Sequence, residues 1–221
     1  MAGPARFEDL PTEFPVFPLA GALLLPMGKL PLNVFERRYL AMIEDTLATG
    51  RVIGMVQPDE TRSPTPAGPA LFRVGCLGRL SSFSETDDGR YLVTLSGLTR
   101  FVIGVELEMK RGYRRVRADL TRFRGDLDPI TTTDLIDREE LLQALRAYFT
   151  TRGFDANWDT INDMPDDALV VTLAMVCPFD PAEKQALLEA PSMADRADTL
   201  LTLLQMGAHA SDTGRQGRQA S

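Results

Sequence analysis

Three lysines, Lys29, Lys110 and Lys184, and a single histidine, His209, are the side chains through which this chain would do amine or imidazole chemistry. Gly21 to Lys29 superficially resembles a phosphate loop. Six residues separate Gly21 from Gly28-Lys29, however, and Leu30 stands where a Ser or Thr hydroxyl must reach Mg²⁺, so the segment reads as a turn. Lys184 is expected on the exposed side of a well-capped helix, and Lys110 sits in a run of arginines whose like charge lowers an amine pKa but which has no serine motif nearby. A Ser-Lys nucleophile is therefore not predicted. His209 falls in a tail without periodicity, and a general base must be held within hydrogen-bond reach of its proton, so no triad is predicted either. Cys76, in a predicted strand, and Cys177, before Pro178, lack metal-ligand spacing and read as small buried hydrophobes. The acidic pairs Asp87-Asp88 and Asp166-Asp167 fall at a turn and a helix start, where Asp caps backbone N–H groups. No metal site, cofactor site or catalytic site is predicted, and the chain reads as a non-enzyme.

Two stretches have the composition of binding surfaces. The segment from Phe14 to Pro58 is rich in apolar side chains, and Leu23, Leu24, Phe35 and Tyr39 exceed what one small barrel readily buries. Most of such a set is core by ordinary inside–outside statistics; any that stay exposed together form an apolar patch of the kind that marks protein-binding sites. The second stretch, Lys110 to Arg124, is basic in an otherwise acidic protein. Its arginines, Arg111, Arg114, Arg115 and Arg117 among them, with the interleaved Tyr113 and Phe123 suit an RNA backbone and base stacking. The plainer reading, a solvated strand face whose arginines protect an edge and form local ion pairs, is the favoured one.

Bulk properties agree with protein rather than nucleic acid as a partner. The 221 residues carry 24 basic and 31 acidic side chains, a net charge of −7, with 44% hydrophobic residues. That balance disfavours a general binder of nucleic acid or of anionic membranes. The start, MAGPARFEDLP, has no continuous apolar region, and no segment has the length of uncharged apolar sequence that a membrane span needs, which predicts a cytoplasmic protein.

The elements that must position these residues divide the chain in two. After a flexible polar lead-in, 1–12, residues 13–125 carry mainly β signals. The apolar runs Phe14 to Leu19 and Ala22 to Leu25, then the alternation of Leu30, Leu32 and Val34, read as short strands near a sheet edge or barrel seam, given the interspersed prolines. From Glu36 the period becomes helical through Tyr39, Met42, Ile43 and Leu47, with Gly50 as the stop, so one helix is expected over about 36–49. Strands follow at Val52 to Val56, Leu71 to Leu80, Tyr91 to Leu95, Arg100 to Leu107 and Tyr113 to Leu120, with a hairpin turn at Asp87-Asp88-Gly89. The four prolines between Pro58 and Pro69 predict a projecting, semi-extended arm. Many short strands with a lone helix suggest a small barrel.

Residues 130–207 read as helical. One helix is expected over about Thr133 to Thr151 with Gly153 just beyond, another through Leu169, Leu173 and Val176, and a third capped by Asp180 with Pro181 and Glu183. The last, through Leu200, Leu201 and Leu204, is expected to stop at Gly207, leaving 208–221 as a disordered tail.

The proline punctuation of the first segment carries a resemblance. Phe14-Pro15, Phe17-Pro18-Leu19, Leu25-Pro26, Leu30-Pro31-Leu32, Phe35-Glu36, Arg38-Tyr39, Met42 and Ile53-Gly54-Met55 are similar to the opening signature of the Lon protease N-terminal, substrate-binding domain family. Val74 to Arg79, Asp88 to Tyr91, Leu98 to Phe101 and Glu183 to Glu189 match its later blocks. The sequence departs from the family at Asn33, where the full-length proteases often have His, and at Arg37, where a helix-opening Pro is usual; neither is a core position.

The resemblance implies an α+β fold, a PUA-like β pseudo-barrel followed by an α-helical bundle subdomain. It also implies a free-standing, ATP-independent recognition module that binds unfolded or degron-bearing polypeptides, as an adaptor to an ATP-dependent protease. The matching motif positions Leu23, Leu24, Phe35, Glu36 and Tyr39 are then the expected polypeptide-binding residues. The alternative is an RNA-binding PUA-like protein that uses Arg111, Tyr113, Arg114, Arg115 and Arg117.

Overall fold

The computed structural model describes residues 6–128 and 136–216, which fall into two compact units divided between Pro129 and Ile130. The first unit is built on six strands: β1 (Glu13–Pro18), β2 (Lys29–Val34), β3 (Val52–Val56), β4 (Val74–Glu85), β5 (Tyr91–Lys110) and β6 (Tyr113–Asp119). Their order is β2-β5-β4-β3-β1-β6, and an additional β5–β6 pairing closes β1, β3, β4, β5 and β6 into a pseudo-barrel. This mixed sheet with helices is the expected α+β class. β1 runs parallel to β3, and the remaining pairings are antiparallel.

Alternation explains which side chains fill the barrel. Phe14 and Val16 of β1, Phe101 and Ile103 of β5, and Val116 and Ala118 of β6 share the inward parity and form the core with Leu77 and Leu120. Helix α1 (Arg37–Leu47) buries Tyr39, Ala41, Met42 and Ile43.

Several expectations are corrected here. Ala22 to Leu25 is not a strand; it is an irregular buried segment lying over the paired glycines Gly78 and Gly97. The two strands expected after the hairpin turn are one, β5, because bulges between Leu77 and Gly78 and between Leu80 and Ser82 of β4 bend the pair without ending it. Of the lead-in, the described residues are docked: Phe7 and Leu10 pack on the core, and Arg124 stacks on Phe7 while pairing with Glu8 at 2.8 Å. The Pro58–Pro69 loop is held at its base, where Pro58 bridges Leu71 and the buried Asp59 carboxylate accepts from the Thr61 amide and hydroxyl.

The second unit contains α2 (Arg138–Arg152), α3 (Trp158–Asn162), α4 (Asp166–Val176), α5 (Pro181–Glu189) and α6 (Met193–Gln216). α6 packs against α2, α4 and α5, and Leu145, Tyr148, Val170, Leu187, Leu200 and Leu204 are buried. The helix start at Asp180 forms the full reciprocal cap, with the Asp180 amide donating to the Glu183 carboxylate at 2.8 Å. The three residues 133–135, expected to open α2, lie outside the described residues; α2 begins after Asp137, whose side chain caps the Glu140 amide.

Three residues behave otherwise than the sequence suggests. Val176 is exposed at the end of α4, while Leu169 and Leu173 are buried as expected, together with Val170, Val171 and Ala174. Lys184 is buried, with Nζ donating to the Met175 carbonyl at 3.4 Å, since α5 turns that side toward the C-terminal end of α4. Gly207 does not stop α6: a Cβ there would stand 2.4 Å from the Tyr148 ring, so this glycine admits the ring and the helix runs on to Gln216. His209 therefore lies on a helix, exposed, with Nδ1 2.7 Å from the Gln205 carbonyl.

Candidate functional site

β2 hangs from β5 outside the closed barrel, and the chemistry around it follows from the ladder. Leu30, Leu32 and Val34 oppose Leu95, Val93 and Tyr91, and all six share the core-facing side. Val93, Leu95 and Val34 are buried, whereas Leu30 and Leu32 are half-buried. Phe83 of β4 reaches the same face and meets Tyr91 edge-on, ring centroids 5.0 Å apart. On the opposite face Leu92, across from Asn33, is exposed. Phe35 leaves β2 directly after Val34 and is 66% exposed, the largest value for an aromatic ring among the described residues. The sheet end thus presents apolar side chains on both faces, within about two ladder positions of one another.

The five apolar-motif positions separate accordingly. Phe35 and Glu36 are exposed, with Glu36 paired to Arg38 at 2.8 Å. Leu23 and Leu24 are 2% and 1% exposed and are core side chains: their irregular segment covers the bare backbone of Gly78 and Gly97. Tyr39 is buried too, stacked on Phe17 at 4.2 Å with the Arg38 guanidinium over its ring. Leu92 and Phe83 were not singled out by sequence; the signal was the register of Leu92 with Asn33, which only the hairpin pairing supplies.

The basic run is neutralised in place. Arg111 pairs with Glu44 at 2.7 Å and Asp45 at 3.2 Å, and Lys110 with Asp45 at 3.1 Å. Arg114 is buried, its guanidinium donating twice to Glu106 and once to the Pro69 carbonyl. Arg117 and Arg115 share Glu13, at 2.7 and 3.8 Å. Tyr113 donates its hydroxyl to Asp45 at 2.7 Å. Burial, reinforced by Asp45, pushes the Tyr113 phenol above its ordinary value, while that hydrogen bond is the main reason the Asp45 carboxyl lies below its own. A row of arginines already held by carboxylates is poorly placed to collect phosphates. A cleft of about 300 Å³ lies beside this network, lined by Glu13, Pro15, Thr49, Lys110 and Arg115 among others.

Asp45 supports a prediction. Its depressed folded-state pKa means its stabilising effect is complete above the ordinary carboxylate range, near pH 4, and is lost as pH falls through the folded value. Asp45→Asn is expected to cost about 1 kcal/mol at pH 7, the size of one part-exposed charged hydrogen bond, and to flatten the acid limb of the stability profile. Urea melts from pH 3 to 7 measure both; an unchanged acid limb would contradict the assignment.

Cys177 and Lys184 stand near one another in the helical unit. Burial pushes the Cys177 thiol up to about 12 and lowers the Lys184 ammonium, so Cys177 stays protonated at neutral pH. Among the described residues no cluster of three His, Cys, Asp or Glu could hold a metal, and no helix is long and apolar enough to cross a membrane.

A barrel with an appended strand, followed by a helical unit, is the fold of Lon N-terminal domains. The Lon N-terminal domain protein from Xanthomonas campestris superposes with a TM-score of 0.56 at 24% identity, covering 86% of this chain and 97% of that one. The N-terminal domain of Mycobacterium avium complex Lon protease gives 0.60 at 18%, covering 87% and 97%. The chain belongs to the ATP-dependent protease La (LON) substrate-binding domain family, whose model matches residues 13–206. Lon protease 2 of Myxococcus xanthus is 27% identical over 205 residues, covering 89% of this chain and 24% of that protein. Lon protease of Anaeromyxobacter dehalogenans is 28% identical over 123 residues, covering 56% and 14%. The chain spans a quarter or less of the length of these curated relatives.

Proposed function

We propose that this chain is a polypeptide-binding module that holds unfolded or degradation-tagged segments without cleaving them, and that it works in the cytoplasm as a recognition partner of an ATP-dependent protease. The observation that carries this reading is the apolar end of the β2–β5–β4 sheet, where Phe35 and Leu92 are 66% and 46% exposed in a domain of the substrate-binding family. Unfolded chains differ from folded ones in offering apolar side chains and unpaired backbone together, and this sheet end meets both. RNA binding is not favoured, because the arginines it would need are paired with Glu13, Glu44, Asp45 and Glu106.

The test is retention of a reduced, carboxymethylated model protein by the immobilised chain without ATP. Phe35→Ser and Leu92→Ser together are expected to lower retention about tenfold, the effect of losing two apolar anchors, with little change in thermal unfolding because both side chains are exposed. Raising salt from about 0.05 to 0.5 M should leave retention nearly unchanged, whereas RNA contacts would weaken steeply. Full retention by the double variant would contradict the placement of the site.

A further inference from the structure

We propose that the polypeptide binds as an added β-strand along the open edge of β2, through the outward backbone groups of Lys29, Pro31 and Asn33. This rests on the polypeptide-binding reading above and specifies how the segment is held.

The phase of the β2–β5 ladder decides which backbone groups are available. The Gly97 amide donates to the Gly28 carbonyl at 2.8 Å, just ahead of the register that pairs Lys29 with Ser96 and runs without a shift to Val34 opposite Tyr91. Hydrogen-bonded pairs alternate along an antiparallel ladder, so Leu30, Leu32 and Val34 exchange bonds with β5, and Lys29, Pro31 and Asn33 turn theirs outward. Pro31, with no N–H to give β5, sits at one of these outward positions, where a strand tolerates proline. Among the described residues β2 pairs with β5 alone. The edge therefore offers two amides, at Lys29 and Asn33, and three carbonyls, at Lys29, Pro31 and Asn33.

The side chains specify the occupant. An added strand would lay alternate residues beside Leu30 and Leu32, whose half-exposed surface calls for apolar partners, and the intervening residues beside Lys29, Pro31 and Asn33, where polar ones suffice. Met27 and Phe35, 51% and 66% exposed, stand at the two ends of the edge and lengthen the apolar contact. A second copy of β2 centred on this edge would set Pro31 against Pro31 and lose both central bonds. A foreign strand without proline there keeps the bond to the Pro31 carbonyl. The occupant is thus an extended segment of another polypeptide with apolar residues at alternate positions, which an unfolded chain supplies and a folded one hides.

Amide hydrogen exchange, followed residue by residue with a capped ten-residue peptide of alternating Val and Thr between terminal lysines, tests this. The expected result is slowed exchange at Lys29 and Asn33, little change at Leu30 and Leu32, and no protection from the same peptide N-methylated at alternate residues. Asn33→Pro removes one outward amide without touching the β5 ladder and should weaken the peptide about tenfold, while Asn33→Ala, which keeps the amide, should stay within about threefold. If Asn33→Pro does not fold, the methylated peptide on the unaltered chain gives the same answer. Unchanged exchange at both amides while unfolded protein is still retained would overturn strand addition and leave the binding reading standing. Retention of neither the peptide nor unfolded protein would overturn both. Protection that grows with the chain's own concentration, without peptide, would assign the edge to a second copy and overturn the proposal.

Discussion

Gly97→Ala is expected to lower the stability of the barrel unit by about 3 kcal/mol or more, against the 1–3 kcal/mol typical of an overpacked core site. A Cβ at this position would stand 1.9 Å from the Leu25 carbonyl oxygen and 2.7 Å from its carbon. Those are backbone atoms, so no rotamer change relieves the clash. Leu25 is fully buried, and the chain is tied down directly after it, since the Met27 amide donates to the Gly97 carbonyl and the Gly97 amide to the Gly28 carbonyl. The strand and the segment must separate, which uncovers Leu24 and Leu25 together. Gly50→Ala is the control: nothing lies within 4 Å of its Cβ, and the change should stay within about 0.5 kcal/mol. Urea denaturation of both variants decides; a Gly97→Ala midpoint close to that of the unaltered chain would mean the buried segment does not lie where it is placed.

Asp126→Ala is expected to cost about 3–5 kcal/mol, because it removes the carboxylate from a buried guanidinium. The Arg100 and Asp126 side chains are 6% and 10% exposed. Asp126 accepts from the Arg100 backbone amide and Nε, each at 2.9 Å, and from Nη2 at 2.7 Å, while the guanidinium lies over the Phe123 ring at 4.4 Å. This pair fastens the 3-10 turn after β6 onto β5, so its loss loosens the far side of the barrel. The double change Arg100→Met with Asp126→Leu should recover most of the loss, since the dominant penalty is the charge left without its carboxylate rather than the missing attraction. A double-mutant cycle measures it, and an Asp126→Ala cost below about 1 kcal/mol would contradict the burial of the pair.

What local pattern encodes was legible. The alternation of Leu30, Leu32 and Val34 marked β2 and its inward face, the hairpin at Gly89 joined β4 to β5, and Asp180, Pro181 and Glu183 marked the start of α5. The proline-punctuated blocks identified the family. What depends on distant residues was not legible. Leu23 and Leu24 look like surplus apolar surface until Gly78 and Gly97, more than fifty residues on, pair to make a floor for them. Gly207 has the look of a helix stop, yet it is a slot for Tyr148. Lys184 carries a charge that argues for solvent, while the packing of α5 buries it. The arginines after Lys110 form a basic patch in one dimension and a set of ion pairs in three, since Glu13 reaches Arg117 across 104 residues. The open edge of β2 is a property of strand order, which no window of sequence contains.

The binding reading stands or falls on one comparison: retention of the same model protein in its folded and its reduced, unfolded forms by the immobilised chain, without ATP, with the released material examined for cleavage. The expected result is strong retention of the unfolded form alone, recovered intact. Equal retention of both forms, or retention of RNA and neither protein form, would contradict it.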